Sequence, residues 1–98
     1  MTRARVDGVV KRSHDRDQAE RLLRQGLNHF GLTASSLAGL RKNDQRKQAI
    51  ARLIRHRTTI ENGWIARELQ LGHESAVSRC VRAASSEAEA SLLKAVGE

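Results

Sequence analysis

From Ala19 onward the apolar residues of this 98-residue chain recur three and four positions apart: Ala19, Leu22, Leu23, Leu27 and Phe30, then Ala49, Ile50, Leu53 and Ile54, then Ile65 and Leu69. That period puts an apolar stripe along one side of a helix. A half-buried strand needs alternation every second residue instead. The chain has no proline and no tyrosine, with one phenylalanine and one tryptophan, so its core has to come from Leu, Ile, Val and Ala, which suit packed helices. A chain of this length holds one small core and no deep active-site cleft beside it. The expectation is a small all-α bundle of four to five helices, with Leu40, Val77 and Val81 joining that core, acting as a binding module rather than an enzyme and using no cofactor.

The local signals divide the chain as follows. Residues 1–14 are polar, basic and without a period, and read as a flexible arm. A helix over about 15–30 ends at Gly31, where a C-terminal cap belongs. Thr33 can cap a short helix through Leu37 and Leu40, and Asn43 or Asp44 a longer one over about 44–57. Thr58 or Thr59 can start a helix through Trp64, Ile65 and Leu69, which breaks at Leu71-Gly72. The next helix starts near His73 or Glu74 and runs to about Ala84, so the helical domain covers 15–84. Residues 85–98 form a weak helix or tail. Its Ala88, Leu92, Leu93 and Val96 can pack on the body or, as a homodimer contact through 87–96, on a second copy.

The net charge of +7 is uneven, because residues 1–57 hold 14 Lys/Arg against 5 Asp/Glu while residues 58–98 hold 4 against 6. Between Arg41 and Arg57 the cations are Arg41, Lys42, Arg46, Lys47, Arg52, Arg55 and Arg57, opposed only by Asp44. A field of that sign attracts phosphate from nucleic acid or anionic lipid. Arg46 and Lys47 fall in the first turn of the 44–57 helix, where the macrodipole disfavours cations, which suggests an external anion; the competing reading is a solvated basic face. No apolar run approaches the roughly 20 residues of a membrane span, so no membrane partner is expected. The start MTRARVDGVVKR lacks the apolar stretch of a secretion signal and a lone cysteine makes no internal disulfide, so the expected setting is cytoplasmic.

The region around 60–84 has the parts of a helix-turn-helix. Ile65, Leu69 and Leu71 can face Val77, Cys80 and Val81, Ala66 is a small residue where the helices cross, and Gly72 can take positive φ in the turn. With Val77, Cys80 and Val81 inward, Ser75, Ser78, Arg79 and Arg82 point outward. Serine lets a helix approach a major groove closely, and arginine can bond guanine O6 and N7 together. His73 and Glu74, at the helix start, can reach a base edge or a phosphate. The alternative is an ordinary amphipathic helix with a soluble face.

Other chemistry finds little support. His14, His29, His56 and His73 are too widely spaced for a local metal pair, and His73 and Cys80 would stand about 10.5 Å apart along a helix. Cys80 falls on the inward face and reads as a small core residue. Trp64 reads as core rather than as a base-stacking platform, and so few aromatics argue against a stacking single-strand binder.

The stretch LRKNDQRKQAIARLIRHRTTIENGWIARELQLGHESAVSR resembles the C-terminal region of the REP-associated tyrosine transposases. There a basic Lys/Asn-Asp-x-Arg-Lys entry, an Arg-Thr-Thr, a Trp-Ile-Ala helix and a Leu/Met-Gly-x-x-x-x-Val-Ser helix follow in order. The helix pair is also similar to the helix-turn-helix of the Trp repressor and of the replication initiator's C-terminal domain. The resemblance covers about half the chain and implies double-stranded DNA as partner. It implies that Arg46, Lys47, Arg57, Thr58 and Thr59 lie near the DNA backbone and that the Ser75-to-Arg82 face meets bases; Arg41, Lys42 and His73 are further backbone candidates from this chain's own charge and position. Those transposases cut DNA with a tyrosine and a metal held by a histidine, bulky hydrophobic, histidine motif, and this chain has neither. The implication is a nucleoid-associated DNA-binding module, stand-alone or left from a decayed element, working beside a separate transposase. Two other functions fit the composition: a basic RNA-binding or ribosome-associated protein, and a helical partner-binding protein of the antitoxin kind.

Overall fold

In the computed structural model the backbone is described for residues 3–83 and 86–97, and the side chains for 14–83 and 86–97. The described residues form six helices and no strand: α1 (Arg3–Phe30), α2 (Ala34–Gly39), α3 (Gln45–Arg57), α4 (Asn62–Leu69), α5 (Ser75–Arg82) and α6 (Glu87–Ala95). The all-α expectation holds. The count exceeds four to five because both short segments, α2 and α6, are complete helices.

α3 is the hub, packing against α1, α4, α5 and α6. The reason is in its sequence: Ala51 adds to Ala49, Ile50, Leu53 and Ile54, so the apolar surface wraps further round than one stripe, and all five residues are buried. A helix apolar over most of its circumference belongs inside. α1 crosses it closely at Gly26, where an added β-carbon would come within 2.7 Å of Ile50 Cγ1. Ile65, Leu69, Leu71 and Val77 complete the core with Leu22, Leu37 and Trp64, while Leu27, Phe30, Leu40 and Val81 pack against it half-buried.

Several boundaries follow from the caps. Gly31, at φ 67°, ends α1 with the Leu32 N–H donating to Leu27 O at 2.8 Å and its own N–H to Asn28 O at 3.2 Å. This is a Schellman closure, which returns two orphaned carbonyls to hydrogen bonds. Thr33 caps α2 by accepting from Ser36 N, and Asp44 caps α3 by accepting from Arg46 N at 2.9 Å.

Two expectations are corrected. The basic segment expected as an arm over 1–14 is helical from Arg3, residues 1 and 2 lying outside the described residues. It contains no proline, and a helix already nucleated on a core propagates through such a segment without an apolar stripe of its own. Neither threonine starts α4, whose N-cap is Glu61 with no side-chain cap bond, because Thr58 closes α3 instead. Residue 84, the expected end of the fifth helix, lies outside the described residues, and α5 is described to Arg82. Of the two alternatives given for α6, packing on the body is seen: it lies on α3 and buries Leu92 completely, with Ala88, Leu93 and Val96 half-buried.

One side chain fastens this arrangement. Arg52 of α3 pairs with Glu89 of α6 at 2.5 Å and donates to the α5-end carbonyls of Cys80 (3.4 Å), Val81 and Ala83 (2.7 Å). Removing one member of a buried, hydrogen-bonded charge pair is expensive because the other charge and its acceptors stay desolvated. Arg52→Met should therefore lower stability by about 3 kcal/mol, and Glu89→Gln by clearly less, since the carbonyl bonds remain. Denaturant titration checks the order. Equal, small losses would mean that the network is solvated.

Candidate nucleic-acid interface

The turn between α4 and α5 is built from two left-handed residues. Gln70 stands at φ 55° and Gly72 at φ 92°. Leu71 N–H donates to Ala66 O at 2.9 Å and Gln70 N–H to Arg67 O at 3.3 Å, a second Schellman closure that turns the chain while Leu71 drops into the core. The positive φ is what requires glycine at 72; the end of the Lys42 side chain also lies close, 2.7 Å from where a β-carbon would stand, but it is free to move aside. Beyond the turn, His73 Nδ1 accepts from Ser75 N–H at 3.1 Å, which requires the ring proton on Nε2.

The turn is held from beneath by Lys47. Its ammonium is buried and donates to Gln70 O at 3.1 Å and Leu40 O at 3.4 Å, and burial holds its pKa below the ordinary lysine value. The Gln70 amide adds a bond to Ala34 O at 3.2 Å. Thus the α4–α5 turn, the α2–α3 loop and α2 are tied together.

On α5, Ala76, Val77 and Cys80 are buried and Val81 half-buried, while Ser75, Ser78, Arg79 and Arg82 are all exposed. The outward row expected from helical spacing is therefore present. Opposite the centre of the buried set, at about 100° per residue, stands Arg82, with Ser75 and Ser78 near it. Arg79 is about 60° round the helix from Arg82. Two grooves flank the row: one of about 310 Å³ reaches from Ser78 and Arg82 to Arg55 and Asn62, and one of about 380 Å³ from Arg79 to Lys42 and Asn43.

The residues expected at the DNA backbone separate into two groups. Arg41, Lys42 and His73 are exposed. His73 and Thr59 share a cleft with Ser75 and Ser78, and Lys42 shares one with Arg79. Lys47 and Thr58 are corrected: both are buried, Lys47 on the carbonyls named above and Thr58 donating its hydroxyl to Ile54 O at 2.9 Å. Arg57 is half-buried at the end of α3. Thr59 is exposed, but its N–H and hydroxyl both bond Asp15 of α1. Arg46 lies at the surface with its guanidinium on Asp44, Nε and Nη2 each 3.0 Å from a carboxylate oxygen. The first-turn cations thus find partners within the chain: the cap carboxylate of Asp44 for Arg46, and two backbone carbonyls for Lys47. Arg55 escapes sequence reasoning: it bonds Asn62 Oδ1 at 2.6 Å and Thr58 O at 3.0 Å, and no local pattern marks that pairing.

Cys80 and Trp64 are core residues, and burial pushes the Cys80 thiol above its ordinary pKa. Among the described residues no three His, Cys, Asp or Glu side chains gather as a metal site, and no helix is long and apolar enough to cross a membrane. Compared with known protein families, curated proteins and solved structures, the chain has no match.

The Asp44 cap carries a pH signature. Its side-chain hydrogen bonds with Arg46 hold the carboxyl below its ordinary value, so the unfolded chain binds the proton more readily. The contribution is complete above the ordinary carboxylate range and is lost as pH falls through the lowered folded value. Asp44→Ala should cost about 0.5–2 kcal/mol at neutral pH and bring the acid and neutral stabilities closer together. An undiminished acid limb in the variant would place the linkage elsewhere.

Proposed function

We propose that this chain is a non-enzymatic DNA-binding module whose α4–α5 pair acts as a helix-turn-helix, with α5 entering the major groove of duplex DNA. The observation that carries this reading is the division of α5: its apolar residues are buried and its exposed side holds only two serines and two arginines between Ser75 and Arg82. Short hydroxyls beside long guanidiniums allow close approach and two-pronged contact with guanine, a combination that solubility alone does not require. The turn adds support. It is fastened by Lys47, Gln70 and Leu71 well beyond what a surface loop needs, which presents α5 as a fixed element. In the cell such a module belongs on the nucleoid, and the resemblance to the C-terminal region of REP-associated transposases supplies a second support and a candidate partner, a separately encoded transposase.

Selection of bound duplexes from a random pool should enrich one sequence class. On that duplex Arg82→Ala should weaken binding by about 1–3 kcal/mol while changing affinity for a scrambled duplex far less. Paired binding curves at two salt concentrations read both. No enriched class, or tighter binding of an RNA duplex of the same sequence, would overturn the reading.

A further inference from the structure

The two arginines of α5 face different grooves: Arg82 lines one with Arg55, Asn62 and Ser78, and the neighbouring cleft that reaches Thr59 is lined by the carboxylates Glu61 and Glu74. The groove on the other side is lined by Lys42, Asn43, Gln48 and Arg79 above a floor of Leu71 and Ala76, with no carboxylate among its lining residues. We infer that Lys42 and Arg79 form a phosphate clamp, holding the backbone of one DNA strand at the edge of the groove that α5 enters.

Three features of the molecule support this assignment. Geometry comes first: the major groove is about 12 Å wide and a helix with its side chains about 10–12 Å across, so a residue well off the outward meridian meets the phosphate wall rather than the base edges. Arg79 is such a residue. Arg82 is not. Second, the end of the Lys42 side chain lies beside Gly72, which, having no β-carbon, leaves room for it next to the start of α5. Third, Asn43 and Gln48 bring amide donors to the same groove, and its carboxylate-free lining leaves the field of both cations uncancelled. Asp44, the acid next in sequence, is engaged by Arg46.

The clamp rests on the DNA reading above, and the test separates the two. Lys42→Met retains an aliphatic stem over Gly72 and removes the charge, Arg79→Ala removes the guanidinium, and Arg79→Lys retains charge without the fork. Each is titrated in the full chain with a fluorescein-labelled selected duplex and a scrambled one at several salt concentrations, after far-UV circular dichroism confirms folding. Lys42→Met and Arg79→Ala should each lose about three- to fivefold on both duplexes, with a shallower salt dependence by up to about 0.9 in log–log slope. The double variant should lose less than the product of the singles, because they share one phosphate. Arg79→Lys should recover affinity and slope, since a phosphate accepts a point charge where a guanine edge does not. A loss at Arg79 confined to the selected duplex and not recovered by lysine, or an unchanged slope in Lys42→Met, would overturn the clamp while leaving the DNA reading intact. Absence of duplex binding by the wild-type chain would overturn both.

Discussion

The Arg52 guanidinium is the contact on which the arrangement of helices depends. It leaves the central helix, meets the Glu89 carboxylate on α6 and caps the carbonyl end of α5, so three helices share one side chain. An eight-residue helix such as α5 has no stability of its own in water, and its carbonyl end carries partial negative charge. A cation fixed there by a second, acidic helix satisfies that end and sets how far α5 stands from the core. The same contact draws α6 onto the body, where Leu92 closes the hydrophobic cluster. What remains outside is the polar row of α5.

Charge counting along the chain overstates how much of the basic segment faces water. Of its cations, Lys47 is buried on carbonyls, Arg52 is in the helix junction, Arg55 bridges to Asn62 and Arg46 lies on its own cap. Arg41 and Lys42 are the exposed members. A central helix that buries one broad side can still carry arginines and lysines there when they reach acceptors, and in α3 Lys47 and Arg52 do so at the chain ends of neighbouring helices. Within the 41–57 segment the exposed cations accordingly sit in the loop before α3, with Lys42 in the groove beside Arg79, rather than along α3 itself.

This division also explains what was legible in the sequence. Helix ends marked by a local residue were readable, because Gly31, Thr33 and Asp44 act on backbone groups within a few positions. So was the exposed row of α5, which follows from periodicity once Val77 and Cys80 are inward. The fates of Lys47, Thr59 and Arg52 were not, because Gln70, Asp15 and Glu89 are 23, 44 and 37 positions away. Thr58 misled for a different reason: a threonine between two helices can close the first as well as open the second, and burial decided it. Gln70 gave no signal at all, since its left-handed backbone is one that glycine or asparagine ordinarily marks.

The central claim is that α5 meets DNA with its serine and arginine side, and backbone amide chemical shifts of the isotopically labelled chain, recorded during titration with the selected duplex, test it residue by residue. The account predicts the largest shifts over 75–82 and in the 41–43 loop, with the α1 and α6 surfaces far from α5 nearly unmoved. Shifts concentrated on α1 or α6, with α5 unchanged at saturating duplex, would contradict it.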